Sequence, residues 1–104
     1  MATIRGTTPT VTFNLPFSVS TIKNCEVYFA QNDELKVTKS FEDCVLDNTT
    51  LSVTLTQSDT LAFDDDEKLE MQIRFVFTNG SVDATQIIKG KIGRILKDGE
   101  IDVD

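Results

Sequence analysis

Apolar residues recur at every second position through most of this chain, and no window of eleven or more residues carries a sustained apolar stripe at helical spacing. Successive side chains of a strand point to opposite faces, so this period builds half-buried strands. Val11, Phe13 and Leu15 alternate with Thr10, Thr12 and Asn14, and Pro16, lacking an N–H, ends the run. Cys25, Val27 and Phe29 form a second inward set, and Leu35, Val37 and Phe41 a third. Leu51, Val53 and Leu55 alternate with Ser52, Thr54 and Thr56. The longest strand is expected over Lys68–Phe77, with Leu69, Met71, Ile73, Phe75 and Phe77 inward, and it belongs at the centre of a sheet.

The tetrapeptide TNGS follows that strand, and Asn79-Gly80 predicts a type I′ hairpin turn with two positive-φ positions. The turn would set Phe77 opposite Val82, Phe75 opposite Ala84, Ile73 opposite Gln86 and Met71 opposite Ile88. Gln86 would then point inward, which demands a buried hydrogen-bond partner or a bulge near residues 85–87; the bulge is favoured. Residues 19–24 (VSTIKN) and 56–63 (TQSDTLAF) break the alternation and read as single helical turns, capped by Ser20 or Thr56. In the second, Leu61 and Phe63 are expected in the core and Ser58, Asp59 and Thr60 in water. The fold predicted is all-β: an immunoglobulin-like antiparallel β-sandwich of about seven or eight strands with one or two single-turn helices, a single domain over residues 1–104. The chain has no tryptophan, so the Cys…Trp…Cys hallmark of antibody domains is missing.

Ten basic and seventeen acidic residues give a formal charge of −7, which repels phosphate backbones and anionic membranes and argues against both as partners. Residues 53–104 hold six basic and eleven acidic side chains, so the second half sets the sign of the field. The start MATIRGTTPTVTF lacks a signal-peptide pattern, and no segment approaches a membrane span in length. The expected location is the cytoplasm of the producing cell, with exit by lysis or within an assembly. Cys25 and Cys44 suit one disulfide or two buried thiols, and the cytoplasm favours the thiols.

Asp64, Asp65, Asp66 and Glu67 form the densest acidic run and are weak calcium candidates. Neighbouring side chains diverge and the spaced pattern of a dedicated calcium loop is missing, so a solvated acidic turn is the expected reading. No catalytic residue and no cofactor is predicted. The chain has no histidine to activate a serine, and neither cysteine sits in a context that suggests a lowered pKa. The pentapeptide GKIGR at residues 90–94 lacks the setting of a phosphate loop and reads as strand.

Tyr28, Val76 and Ile87 fall where alternation predicts polar side chains, and are candidates for a contact surface. The tail RILKDGEIDVD brings Ile95 and Ile101 after the last clear strand, as a final edge strand or as an arm that docks on a neighbour. Sheet edges recruit partners through free backbone groups, and the first strand and last segment are the expected edges, adding Ile4, Arg5 and Val11 as candidates.

Three stretches, IRGTTPTVTFNLPF (residues 4–17), LTQSDTLAF (55–63) and IGRILKDGEI (92–101), resemble small proteins encoded by phages and prophages of Gram-positive gut bacteria, near tail and baseplate structural genes. The resemblance spans nearly the whole chain and brings no catalytic residue. It implies a virion structural or accessory part of tail, baseplate or capsid-decorating type, found in the virion and contacting other virion proteins and further copies of itself. The alternatives are a carbohydrate- or host-surface-binding module and an acidic inhibitor of a nucleic-acid-binding protein.

Overall fold

Alternating strands bury their apolar rows only when two sheets stack face to face, and this requirement sets the architecture. The computed structural model describes residues 2–65 and 67–103, so the calcium candidate Asp66 lies outside the described residues. These form β1 (Ala2–Ile4), β2 (Thr10–Asn14), β3 (Ile22–Gln31), β4 (Glu34–Ser40), β5 (Cys44–Asp47), β6 (Thr50–Thr54), β7 (Lys68–Phe77), β8 (Val82–Ala84) and β9 (Ile88–Gly93), with one helical turn, α1 (Gln57–Leu61), between β6 and β7. Short 3-10 turns at Val19–Thr21 and Phe41–Asp43 carry the chain between sheets. The larger sheet runs β1-β9-β7-β3-β4, with β8 also on β7, and the smaller runs β2-β6-β5. β2, β6 and β5 stand where strands B, E and D of an immunoglobulin domain lie, and β3, β7 and β9 where C, F and G lie; β4 adds the C′ position of a variable-type sheet. The fold is an immunoglobulin-like β-sandwich.

β7 occupies the centre of the larger sheet, and its Leu69, Met71, Ile73 and Phe75 are buried against Val27 and Phe29 of β3 and Val11, Phe13, Leu51 and Val53 of the facing sheet. Outward from β2 and β6, Thr10 pairs with Thr54 and Thr12 with Ser52 through hydroxyl contacts of 2.8 and 2.9 Å.

The sandwich is not wholly antiparallel, because β1 pairs parallel with β9. Arg5 N–H extends that pairing to the Gly93 carbonyl at 3.1 Å. Gly6, at φ +76°, then turns the chain across to the smaller sheet. Gly93 has no side chain because the Ile4 side chain fills the space a Cβ would need.

The type I′ turn expected at Asn79-Gly80 is not formed there. Gly80 has positive φ (87°) and Asn79 does not. Phe77 N–H bonds the Ser81 carbonyl and Gly80 N–H the Phe77 carbonyl, both at 2.9 Å, which makes a three-residue loop and sets Val76, not Phe77, opposite Val82. Type I′ geometry appears instead at Asn32-Asp33, with φ of 51° and 63°, between Gln31 and Glu34. The bulge is where it was expected: between the pairs Arg74↔Ala84 and Met71↔Ile88 the returning strand holds one extra residue. Thr85 spans the gap by accepting the Ile73 N–H on its hydroxyl at 3.1 Å and donating its own N–H to the Ile73 carbonyl at 2.9 Å. Gln86 is consequently exposed, not inward.

Leu35 is 57% exposed, against the inward position expected of it, because a register shift between Phe29 and Ala30 inserts Lys36 as an extra residue in β4. Ser18, not Ser20, caps the first 3-10 turn. Thr56 caps α1 as expected. Thr60, expected in water, is fully buried, and its hydroxyl donates to the Thr7 carbonyl at 2.9 Å; Asp59 is half-buried.

Replacing Thr85 by valine keeps the shape and removes the acceptor that satisfies Ile73 N–H, so Thr85→Val is expected to cost about 1–3 kcal/mol by urea denaturation. Thr85→Ser is expected to stay close to the parent. Equal stability of all three proteins would refute the role given to the hydroxyl.

Candidate interaction surface

Side chains at even positions of β7, and of β3 from Asn24 onward, leave the core and build the outer face of the larger sheet. Register places Tyr28 opposite Gln72 and Thr38, Ala30 opposite Glu70 and Leu35, Glu26 opposite Arg74, and Val76 opposite Val82. Tyr28, Leu35 and Ile87 line one side-open cleft of about 550 Å³ together with Met71, Gln72 and Arg74. Tyr28 and Arg74 continue into a smaller hollow of about 130 Å³ that Val76 and Val82 border. Three of the candidates, Tyr28, Val76 and Ile87, thus meet on one face. Leu35, Ile87 and Val82 are 57%, 48% and 58% exposed and make that face apolar between its charges.

The polar part of the face is ordered. Tyr28 hydroxyl donates to Glu26 Oε1 at 2.7 Å. Burial, followed by the Glu26 carboxylate, raises the phenol pKa, while the Arg74 guanidinium opposes the shift. Tyr28 therefore presents a neutral ring edge between an acid and a base.

The remaining candidates do not join this surface. Val11 is buried at 5% exposure, since its strand faces it into the core, so only the backbone of the β2 edge is offered to a partner. Arg5 is engaged within the domain, its guanidinium donating to the Leu61 carbonyl at 3.0 Å and lying 3.2 Å from Asp98 Oδ1. Ile4 is exposed on β1 at the far edge of the larger sheet. Ile95 lies against Gly6, and the Ile101 backbone is held by the Gln57 amide, with bonds of 2.9 and 2.7 Å. The tail is thus not an edge strand: its backbone folds back on α1, while the Ile101 side chain stays exposed.

Gln31 anchors the backbone at Asp64, the first residue of the acidic run. The Gln31 side chain is fully buried, donates to the Asp64 carbonyl at 2.8 Å and accepts Asp64 N–H at 2.7 Å. Asp64 Oδ2 lies 3.6 Å from Lys36 Nζ. No group of three or more His, Cys, Asp or Glu side chains placed to hold a metal ion occurs among the described residues. Sequence reasoning missed Gln31 although it sits two residues beyond Phe29, where the inward alternation continues with a polar side chain. Further along β4, Lys39 Nζ meets Asp59 Oδ2 at 2.6 Å, with side-chain exposures of 14% and 20%.

No family model matches this chain, and no curated protein matches it. Among solved structures it is similar to the V domain of amphioxus IgVJ-C2, at 9% identity and a TM-score of 0.37, over 89% of this chain and 99% of that one. The fold assignment stands on the strand order described above.

Gln31→Met keeps the length and removes both bonds to the Asp64 backbone, with an expected loss of about 2 kcal/mol or more in urea denaturation. Unchanged stability would show that the loop holds itself. Asp59 has a second signature: burial raises its pKa, but the Lys39 ammonium and the Thr56 N–H and hydroxyl outweigh burial and lower it. A lowered folded pKa gives stability that is present above the unfolded value of about 3.9 and is lost as pH falls through the folded one. The stability gap between the parent and Asp59→Asn is expected to shrink below about pH 4. A gap constant to pH 2 would remove the ion pair from the account.

Proposed function

We propose that this chain is a non-catalytic virion structural or accessory module, of tail, baseplate or capsid-decorating type, that acts through protein–protein contacts made by the outer face of its larger sheet. The observation that carries the contact reading is the convergence of Tyr28, Leu35 and Ile87 on one open cleft, bordered by Val76 and Val82. Exposed apolar side chains of this density on an ordered sheet favour a macromolecular partner, with Glu26, Glu70 and Arg74 setting its register. The virion assignment is supported by the resemblance carried by residues 4–17, 55–63 and 92–101. A carbohydrate platform is disfavoured because all seven phenylalanines lie in the core or against it, leaving Tyr28 as the one aromatic on the face.

Two measurements test the two parts. Mass spectrometry of gradient-purified particles from the host carrying the gene is expected to find the chain at structural copy number; its presence in the lysate but not in particles would sink the virion reading. Leu35→Glu with Ile87→Glu, both at exposed positions, is expected to change stability by no more than about 1 kcal/mol in total and to cut incorporation tenfold or more. Full incorporation of that variant would place the contact elsewhere.

A further inference from the structure

The crossing between the sheets brings the two cysteines of the chain face to face. Cys25 lies in β3 at 2% exposure, on the inward row that continues through Val27 and Phe29. β4 ends at Ser40, which pairs with Glu26 beside Cys25, and the 3-10 turn Phe41–Asp43 then carries the chain to the smaller sheet. Cys44, the first residue of β5, packs against the same core and donates its thiol to the Ser40 carbonyl at 3.3 Å. The two thiols therefore converge on one corner of the core through Ser40, and each is the largest influence on the other's proton affinity. Both are free.

We propose that Cys25 and Cys44 are a redox pair that closes into an inter-sheet disulfide by exchange with a small disulfide such as oxidised glutathione. Cys44 is the entry point, being half-buried at the sandwich corner, whereas Cys25 is sealed. The neighbouring Cys25 thiol lowers the Cys44 pKa, while Cys44 and burial hold the Cys25 thiol far above its ordinary value. In the first step Cys44 thiolate attacks one glutathione sulfur, forming a mixed disulfide and expelling one glutathione thiolate. Cys25 then gives its proton to a departing glutathione thiolate and attacks the Cys44 sulfur, expelling the second glutathione. Two protein thiols are oxidised, and one glutathione disulfide is reduced to two glutathione thiols. The bridge closes a loop of about twenty residues and ties β3 to β5, away from the strands B and F that carry the bond of antibody domains.

The test uses the full chain in glutathione redox buffers at about pH 8, quenched by alkylation, with intact mass, peptide mapping and thermal melting. The parent is expected to lose both alkylatable thiols together, to retain no glutathione, to yield a linked Cys25–Cys44 peptide and to stay monomeric on a non-reducing gel. Its melting temperature should rise by roughly 10 °C and return on reduction. Cys25→Ser should hold one glutathione on Cys44, and folded Cys44→Ser should take none. Peptide mapping of the parent decides the matter even if a variant fails to fold. Glutathione retained on Cys44 with Cys25 still alkylatable, disulfide-linked dimers, or a bridge that forms only in denaturant would each overturn the proposal.

Discussion

The inward row of β7 is the constraint on which the rest of the structure depends. Leu69, Met71, Ile73 and Phe75 project from the central strand of the larger sheet and need a second sheet above them to leave water. Val11 and Phe13 of β2 and Leu51 and Val53 of β6 supply it. Every crossing, at Gly6, at the 3-10 turns and at α1, serves to deliver the next strand to whichever sheet lacks a cover.

Apolar burial is non-directional, so it does not by itself hold the loops that join the layers. Polar side chains do this at particular corners. Gln31 grips the Asp64 backbone, Lys39 meets Asp59, Thr56 caps α1, and Gln57 holds Ile101. Asp64, the first residue of the acidic run, is therefore tied down through its backbone, with Lys36 close to its carboxylate. Similar bonds hold the tail's backbone to α1 and Asp98 to Arg5, while Leu96, Ile101 and Val103 stay exposed.

Two one-residue insertions decide what the outer face displays. Lys36 flips Leu35 outward in β4, and the bulge at residues 85–87 leaves Ile87 outward beside it. A one-residue slip moves a side chain to the opposite face, so the first insertion turns Leu35, expected in the core, into contact surface around Tyr28, and the second leaves Ile87 on that same face. Of the candidates named from sequence, Tyr28, Val76 and Ile87 were legible because they broke the polar row of a regular strand. Leu35 was not, since its own alternation with Val37 looked intact.

Alternation alone determined that this chain is all-β, that Lys68–Phe77 is its central strand, and which residues of β2, β3, β6 and β7 form the core. The period is a local property of the backbone and survives in any sandwich. Pairing was settled only by the tertiary structure: the parallel join of β1 to β9, the type I′ turn at Asn32-Asp33 in place of Asn79-Gly80, the burial of Gln31 and Thr60, and the meeting of Cys25 with Cys44. Each depends on which distant backbone groups and side chains come within hydrogen-bonding reach, and the spacing of residues along one strand carries no record of that.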